Sequence, residues 1–561
     1  MSVASIFRRL GTGALLWLLV PVGVEVRMIQ GSVLNGAAVL RQIADAGQLA
    51  DLRWPDFSDY RVHVKNFYEP AAYAPAWIRG GEPTPQALSI IGILQQADDK
   101  GLSAEDYDGP LWPARLAHLR EDPSEASQAR VDAALTVCVM RYISDLHIGK
   151  VNPRYFHFGL DVGNKKYSLP DFLRQQLVDA ADVPAILNQV EPRFSAYRRT
   201  LEALRQYSSL ARQDSGEALP VPAKAIAPGS SYAGVPRLAE LLRLLGDLPQ
   251  YDQAAESDVY QGRLVEGVKH FQARQGLQPD GRLGVDTVRA LNTPLSFRLR
   301  QLRLTLERWR WLPHEFTGSP IIVNIPEFRL RAYDIGAEGD ATLEMKVIVG
   351  KAYGHQTPVF TDTMEYVVFR PYWSVTSSIQ KTEIVPALEK NREYIAKKGF
   401  EVITHTGELV TSGTIDDDVL SRLRAGRLEV RQKPGPSNSL GLVKLIFPNS
   451  YDVYLHSTPE QYLFAQSRRD FSHGCVRVEK PDELTAWVLR NNPGWDLKRV
   501  RESMQTGKDN QRINLAKPVP VFIVYGTAMV DDHGEVHFLD DIYGFDSDLE
   551  KVLAKGYPYP S

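Results

Sequence analysis

The sequence contains few cysteines and no marked excess of charge. Among its 561 residues only Cys138 and Cys475 are cysteines, so a reactive thiol would have no spare partner for adventitious disulfides. That scarcity suits an oxidising compartment. The net charge is −3 and the pI is about 6.5. Since no long basic run is present either, nothing in the charge pattern indicates nucleic acid as a partner.

The apolar run near the N-terminus is short for a membrane-spanning helix. It covers residues 10–24, which is the size of a signal-peptide core, and Arg8 and Arg9 precede it. No small-x-small cleavage site follows, and charged residues end the run. We therefore expect residues 1–30 to be an export signal or an uncleaved anchor, with a cytosolic amphipathic helix as the alternative.

A chain of this length exceeds what one hydrophobic core usually organises, so about three domains are expected. Apolar residues recur every three to four positions in three early segments, which predicts helices at 85–98, 129–145 and 182–207. Cys138 lies in the middle segment among apolar neighbours and is expected in the core. A stretch rich in Ala, Pro, Gly and Ser then predicts a linker at 215–234.

A second helical unit is predicted at residues 235–293. Val268 and Phe271 lie on one face of its best helix, which ends in a turn of Gly, Pro and Asp. This spacing predicts a small core around both side chains. Asp286 is expected to cap the last helix of the unit. A basic amphipathic helix at 297–311 leads into the C-terminal half.

From residue 319 onward the pattern changes to short strands. Segments that alternate apolar and polar residues lie at 321–325, 328–333, 344–349, 443–447 and 519–525. Residues 380–438 break this pattern with helical and polar segments, and the tail at 536–545 is expected to complete the sheet. Helical regions followed by a β-rich region predict a multidomain α+β protein.

The run FSHGCVR at residues 471–477 places a lone thiol beside a glycine and two basic side chains. A cysteine attacks a carbonyl efficiently only as the thiolate, so Cys475 needs a base or a nearby positive charge. His456 can supply the base if a short loop folds it back onto the sulfur. The pattern therefore predicts a cysteine nucleophile.

Neighbouring residues suit the same chemistry. The main-chain carbonyl of Ser457 is the nearest acceptor that could hold the upstream histidine in one tautomer. Gly474 allows the backbone before the thiol to turn sharply and to aim main-chain N–H groups at an oxyanion. Arg477 suits a substrate carboxylate, with an ion pair to an acid such as Glu479 as the alternative.

Two alternatives to a catalytic thiol exist, and a different family of cysteine enzymes is a third alternative. A closed structural zinc site normally takes four ligands, and no second cysteine lies near His456, His473 and Cys475. A buried, inert cysteine is the commoner fate of a lone thiol, but two histidines and an arginine surround this one. Papain-like proteases place the cysteine well before its histidine, and here the order is reversed. A catalytic role fits best.

These motifs resemble those of a known enzyme family. The pair His456-Ser457, followed by SHGCVR at 472–477, is similar to the signature of the L,D-transpeptidases, bacterial enzymes that crosslink peptidoglycan through a cysteine thioester. The segments at 370–375 and 439–449 resemble the large, multidomain, periplasmic branch of that family. The resemblance spans nearly the whole chain.

The resemblance implies a role for each residue of the site. Cys475 is the nucleophile and His456 is the base. The supporting or substrate-binding residues are His473, Gly474, Ser457, Arg477, Tyr454 and Trp373. Thr376 and Ser377 stand where relatives often carry prolines, which alters the entrance to the cleft and leaves the catalytic pair unchanged. No metal and no organic cofactor is implied.

The resemblance also implies a division of the chain. An export signal or anchor is expected at 1–30, a helical scaffold domain at 31–214 and a linker at 215–234. The later units are a peptidoglycan-binding-like module at 235–293, a connecting helix at 294–318, a catalytic domain at 319–550 with a capping subdomain at 380–438, and a tail at 551–561. Movement of the cap would gate substrate access and exclude water.

The implied reaction links the third residues of two stem peptides with release of D-alanine, in the periplasm. The expected partners are peptidoglycan tetrapeptide stems, with other cell-wall synthesis enzymes left open, and a carbapenem is expected to acylate Cys475. The same thioester leaves open L,D-carboxypeptidase activity, D-amino-acid exchange or attachment of a lipoprotein lysine. A non-catalytic peptidoglycan-binding scaffold protein is the alternative from another class.

Overall fold

The computed structural model describes residues 35–249, 258–334, 339, 341–352 and 354–560. The export signal expected at 1–30 therefore lies outside the described residues. In the described part, no helix combines the length and the apolar character that a membrane span requires. A helical N-terminal region precedes a β-rich C-terminal domain, which confirms the multidomain α+β class.

The N-terminal region is built around one long helix. Its described elements are α1 (Gly36–Ala46), α2 (Arg61–Tyr68), β1 (Ile78–Arg79), β2 (Glu82–Pro83), α3 (Pro85–Gln95), α4 (Trp112–Glu121), α5 (Glu125–Ile148), α6 (Leu169–Phe172), α7 (Val183–Asn188) and α8 (Ser195–Gln213). In α5, 16 of the 24 residues are buried. Cys138 is one of them, which confirms that this thiol belongs to the core.

The predicted helix at 182–207 is two helices. α7 ends at Asn188 and α8 begins at Ser195, and Pro192 lies in the break. Proline has no backbone N–H and cannot continue the helical hydrogen bonds. The buried face of α8, including Tyr197, joins the core of the C-terminal domain rather than that of the scaffold.

A three-helix module follows, made of α9 (Val235–Leu244), α10 (Arg263–Arg274) and α11 (Val285–Leu291). Val268 and Phe271 are buried in its core, as predicted. The prediction that Asp286 caps the last helix is wrong, because α11 begins one residue earlier with Gly284 in the cap position. Asp286 lies in the first turn, where a carboxylate still interacts favourably with the helix dipole.

α12 (Leu295–Trp311) connects the module to the C-terminal domain and packs along α8. Its Trp309 is buried in the same core as the C-terminal sheet. The carboxylate of Glu307 accepts hydrogen bonds from the main-chain N–H groups of Lys150 at 2.6 Å and Val151 at 3.1 Å. α12 therefore ties the scaffold to the C-terminal domain.

The C-terminal domain holds most of the described strands. They are β3 (Ile321–Asn324), β4 (Arg329–Ala332), β5 (Leu343–Gly350), β6 (Phe360–Phe369), β7 (Trp373–Ser374), β8 (Phe400–Ile403), β9 (Leu409–Thr411), β10 (Glu429–Gln432), β11 (Val443–Ile446), β12 (Leu455–His456), β13 (Asp470–Ser472), β14 (Val476–Val478), β15 (Gln511–Val524), β16 (Ala528–Val530) and β17 (Val536–Phe538). Each of the five predicted strand segments coincides with one of them.

The helices of the C-terminal domain lie around these strands. They are α13 (Ser377–Ile379), α14 (Val385–Lys390), α15 (Tyr394–Lys397), α16 (Asp417–Arg424), α17 (Pro481–Val488), α18 (Leu497–Thr506) and α19 (Phe545–Leu553). A π turn, Gln380–Ile384, joins α13 to α14 without a break.

The main sheet closes on itself. Its order is β13-β5-β14-β12-β11-β6-β15-β3-β4, and an additional pairing of β4 with β5 completes the ring. β12 and β14 are parallel neighbours in this ring, and β11 pairs antiparallel with β12 on the other side. His456 lies on β12, and Cys475 directly precedes β14.

The prediction that the tail at 536–545 completes the main sheet is wrong. β17 pairs with β16 in a separate two-stranded hairpin. The ring of Phe538 packs against Tyr207 of α8 with centroids 5.0 Å apart. The hairpin is therefore held by helix packing instead of by strand pairing with the ring.

A small subdomain lies between β6 and β11 in the chain. Its four-stranded sheet has the order β7-β10-β8-β9, and α13 to α16 pack on it. Val375, Leu388 and Leu423 are among the residues of its own hydrophobic core. The sheet begins at Trp373, before the range of 380–438 expected for the cap. We call this subdomain, from β7 to β10, the cap.

Candidate active site

Two neighbouring strands bring the predicted histidine and cysteine to one face of the sheet. In the parallel pair of β12 and β14, His456 is in register with Arg477. Cys475 directly precedes β14 and lies beside Tyr454, whose carbonyl accepts a hydrogen bond from the Val476 N–H at 3.1 Å. Because side chains alternate along a strand, Tyr454, His456, Cys475 and Arg477 point to the same side.

The thiol of Cys475 is half-buried in this face. Its sulfur lies 3.6 Å from the main-chain carbonyl of Asp452. Burial raises the pKa of the Cys475 thiol above its usual range, while hydrogen bonds from the main chain and side chain of Tyr454 act in the opposite direction. The thiol therefore needs a base or a cation to ionise at neutral pH.

His456 is buried, and its Nδ1 lies 2.6 Å from the carbonyl of Ser457. A carbonyl only accepts, so Nδ1 carries the ring proton and Nε2 keeps the lone pair that can take another. Burial lowers the pKa of His456 to about 3, and the charge of Arg477 adds to the effect. The imidazole is therefore neutral at neutral pH, which is the form that a general base requires.

Within the described residues, the thiol's hydrogen-bond partners are Asp452 and Tyr454, and His456 is not among them. The ring of Tyr454 lies beside His456, with centroids 5.7 Å apart. Proton transfer from sulfur to imidazole therefore requires a side-chain rotation or a bridging water.

Hydrogen bonds hold the loop before the thiol. Gly474 has a φ of +117°, a conformation that L side chains rarely adopt. The hydroxyl of Ser472 donates to the Cys475 carbonyl at 2.5 Å, and the hydroxyl of Thr357 donates to the Gly474 carbonyl at 2.7 Å. Tyr543 donates to the carbonyl of Gly350, whose N–H in turn bonds Thr357. The predicted sharp turn is present, and distant residues support it.

His473 faces the cap. Its Nε2 lies 2.6 Å from a carboxylate oxygen of Glu383, which belongs to the π turn of the cap. The ring of His355 packs edge-on against it, with centroids 4.8 Å apart. Neither Glu383 nor His355 has a sequence signal, because both lie in loops or turns far from the motif in the chain.

Arg477 pairs with Glu460, at 2.5 Å, and not with Glu479. The carboxylate of Glu479 instead accepts the main-chain N–H of Lys346 on β5 at 3.0 Å. The alternative that paired Arg477 with Glu479 is therefore wrong, although an ion pair does form. The pair with Glu460 lies on the same side of the sheet as the thiol.

Trp373 is the one predicted site residue that belongs to the cap. Its ring packs on Phe400 with centroids 5.9 Å apart, in the core of that subdomain. No described contact joins it to Cys475. Ser457 contributes to the site through its carbonyl, which orients His456. Gly441 has a φ of +62° and lies close to Ser457, so that a Cβ on Gly441 would overlap the Ser457 hydroxyl.

Comparison with protein-family models shows what the C-terminal domain resembles. Residues 319–520 match the family model of the L,D-transpeptidase catalytic domain. This part of the chain is therefore similar to an L,D-transpeptidase catalytic domain. Residues 62–204 match the model described as "Scaffold domain", and residues 232–291 match the model described as "Putative peptidoglycan binding domain". The predicted resemblance to multidomain L,D-transpeptidases is confirmed.

A curated relative has a name that agrees with this match. A protein of Haemophilus influenzae (strain ATCC 51907 / DSM 11121 / KW20 / Rd) named "Putative L,D-transpeptidase" is 32% identical over 250 residues, which cover 45% of this chain and 49% of the relative. The chain thus matches about half the length of that curated relative.

A solved structure is also similar in part. The crystal structure of the L,D-transpeptidase (residues 123-326) from Xylanimonas cellulosilytica DSM 15894 is 14% identical, and the match covers 54% of this chain and 100% of that chain. Its TM-score of 0.16 is too low to establish a shared fold.

Proposed function

We propose that this protein is a peptidoglycan L,D-transpeptidase that works through a thioester on Cys475. The observation that carries the proposal is the placement of Cys475 and a neutral His456 on one face of β12 and β14. The catalytic-domain match over 319–520 and the match of residues 232–291 to a peptidoglycan-binding model support peptidoglycan as the substrate.

In the first half of the reaction, His456 takes the thiol proton and the sulfur attacks the carbonyl carbon of the third residue of a tetrapeptide stem. A carbon–sulfur bond forms, and the bond to the terminal D-alanine nitrogen breaks. The proton on His456 passes to that nitrogen, and D-alanine leaves. The main-chain N–H of Cys475 would stabilise the oxyanion, whereas the N–H of Gly474 already donates to the Ser472 hydroxyl at 3.2 Å.

In the second half, the side-chain amine of a third residue in a neighbouring stem attacks the thioester. The carbon–nitrogen bond forms, the carbon–sulfur bond breaks, and His456 accepts the proton that the amine loses. Glu383 holds the cap to the loop at His473. A closed cap favours an amine over water as the acceptor, because it limits the access of water to the thioester.

We also propose that the protein acts in the periplasm, where stem peptides are found. The signal-like run at residues 10–24 supports this location. Because the third residue of each stem is the proposed donor and acceptor, the product is a crosslink between two third residues.

The deciding experiment is intact-mass analysis after incubation with a purified disaccharide tetrapeptide. We expect an adduct on the native protein whose mass lacks D-alanine, and no adduct on Cys475→Ala. Cys138→Ala is the matched control and should keep the adduct, because this thiol is fully buried in the scaffold. An adduct that persists on Cys475→Ala would reject Cys475 as the nucleophile, and the absence of an adduct on both proteins would favour a non-catalytic scaffold.

The products separate the related activities. A crosslinked dimer supports the transpeptidase. A tripeptide without dimer would indicate an L,D-carboxypeptidase, and incorporation of an added D-amino acid would indicate exchange by the same nucleophile.

A further inference from the structure

Lys444 lies on the same face as the candidate catalytic pair, although the motif at 439–449 that contains it gave it no role. β11 pairs antiparallel with β12 so that Lys444 is directly opposite His456. Its ammonium lies 5.8 Å from the centre of the Tyr454 ring, and the same tyrosine donates a hydrogen bond to the Cys475 sulfur. Lys444, Tyr454 and the thiol therefore form one contiguous group across three strands.

The charge of Lys444 has no carboxylate partner among the described residues. Another cation near the thiol does have one, because Arg477 pairs with Glu460. Ammonium groups that are partly withdrawn from water are normally paired, because desolvation of an unpaired charge is costly. An uncompensated ammonium beside a cysteine indicates that the sulfur itself is its counterion.

The remaining groups around the thiol do not supply positive charge. His456 is neutral, because burial lowers its pKa to about 3. Asp452 disfavours a thiolate by its negative charge. The ring of His355 contacts His473 and not the thiol. Lys444 is thus the cation left to offset the cost of ionising a half-buried sulfur.

We propose that the charge of Lys444 stabilises the thiolate that forms when His456 takes the proton of Cys475, so that His456 can carry that proton to the leaving amine. Lys444 acts on the sulfur through its field and would not contact the acyl group. The contribution of Lys444 to acyl transfer rests on the proposed function. The ionisation of the thiol can nevertheless be measured without any substrate.

The test is the pH profile of Cys475 alkylation by iodoacetamide, followed by intact and peptide mass. Lys444→Met removes the charge at similar length, Lys444→Arg keeps it, and Lys517→Met is the matched control. Lys517 is an exposed lysine on β15 of the same sheet. Thermal unfolding of each variant establishes that it is folded.

For Lys444→Met we expect the alkylation midpoint to rise by about one pH unit, which lowers the rate at neutral pH about tenfold. Lys444→Arg should keep most of the wild-type rate, and Lys517→Met should keep all of it. An unshifted midpoint in folded Lys444→Met would overturn the proposal.

A second variant tests the proposal even if Lys444→Met fails to fold. His456→Gln should leave the alkylation midpoint nearly unchanged, because a neutral imidazole contributes no charge. A rise of a full pH unit in His456→Gln would assign the stabilisation to an imidazolium and refute the role of Lys444.

Alkylation and turnover also separate this inference from the proposed function. A shifted midpoint in Lys444→Met, with no D-alanine release by the wild-type protein, would uphold the lysine and reject the transpeptidase. Release of D-alanine by the wild-type protein, with an unshifted midpoint in Lys444→Met, would support the transpeptidase and reject the role of Lys444.

Discussion

At the scale of single residues, the candidate site depends on which side chains share one face of β11, β12 and β14. Lys444, His456 and Arg477 are in register across the three strands. Basic groups around a thiol favour the thiolate. Burial, however, keeps the central imidazole uncharged, and this has a consequence for stability that can be measured.

The first prediction concerns the pH dependence of stability. The folded pKa of His456 is about 3, below its unfolded value, so only the unfolded state takes up a proton as the pH falls through the ordinary histidine range. Between pH 7 and pH 5 this lowers the free energy of unfolding by about 2 kcal/mol. His456→Gln should lose stability less steeply over the same interval, as measured by urea unfolding of the C-terminal domain. Parallel slopes for both proteins would contradict the low pKa.

The second prediction concerns Gly441, which passes close to the residue that orients His456. Gly441→Ala should lower the free energy of unfolding by about 2–4 kcal/mol, because it combines backbone strain with an overlap on Ser457. Gly426→Ala is the matched control: its φ is +66°, but nothing lies within 4 Å of an added Cβ. It should cost only about 1 kcal/mol. Equal losses in urea unfolding would show that the overlap is relieved.

The sequence was sufficient to name Cys475 and His456 as the candidate pair, because both lie in short motifs whose chemistry is local. It was not sufficient for Lys444, Thr357 and Glu383. Their positions depend on strand register and on loops that return from distant parts of the chain. The catalytic roles stay predictions, whereas the places of these side chains follow from the fold.

At the scale of elements, the cap has a hydrophobic core of its own, and its π turn contacts the loop before the thiol. The π turn places Glu383 against His473, and their side chains form a hydrogen bond between the cap and the loop before the thiol. A π turn adds one residue to a helical turn and often occurs at functional sites. The contact is therefore suited to set how tightly the cap closes.

The third prediction tests this contact. Glu383→Gln should weaken the closed cap by up to about 1 kcal/mol, since the pair is partly exposed. We expect a several-fold higher ratio of hydrolysed to crosslinked product and faster hydrogen exchange in the cap. Glu389→Gln is the matched control, because Glu389 pairs with Arg424 inside the cap at 2.5 Å. An equal effect of both substitutions would indicate general loosening of the cap and not the loss of the contact between Glu383 and His473.

Elements were predictable where periodicity was strong, as for the helix at 129–145 and the strands at 321–325 and 443–447. Two element predictions were wrong for physical reasons. Pro192 interrupts a helical pattern that otherwise continues, and the tail strand Val536–Phe538 pairs locally because its phenylalanine packs on a helix. The periodicity of a segment does not show which other strand it will pair with.

At the scale of the whole molecule, the domains are tied together by contacts that are far apart in sequence. His270 of the module lies 3.0 Å from Glu535 of the C-terminal hairpin, and Arg274 donates to the Val536 carbonyl at 3.2 Å. The C-terminal tail returns to the scaffold, where Tyr557 inserts beside α5. These contacts hold the catalytic domain, the module and the scaffold as one assembly.

The last prediction concerns this tail. The hydroxyl of Tyr557 donates to the buried carboxylate of Asp145, and Arg141 lies 4.3 Å above its ring. Burial raises the pKa of Asp145 to about 7, and hydrogen bonds from Tyr107 and Tyr557 oppose that shift. Tyr557→Phe keeps the packed ring but removes one donor, so it should cost about 1–3 kcal/mol.

Limited proteolysis of the tail and thermal unfolding measure this cost. Tyr559→Phe is the control, because among the described residues its hydroxyl donates to the carbonyl of Leu553, within the C-terminal segment, at 3.4 Å. We expect the tail of Tyr557→Phe to be cleaved several-fold faster than that of Tyr559→Phe. If the two variants behave alike, packing of the rings rather than the bond to Asp145 anchors the tail, and the scaffold is joined to the catalytic domain mainly through α12.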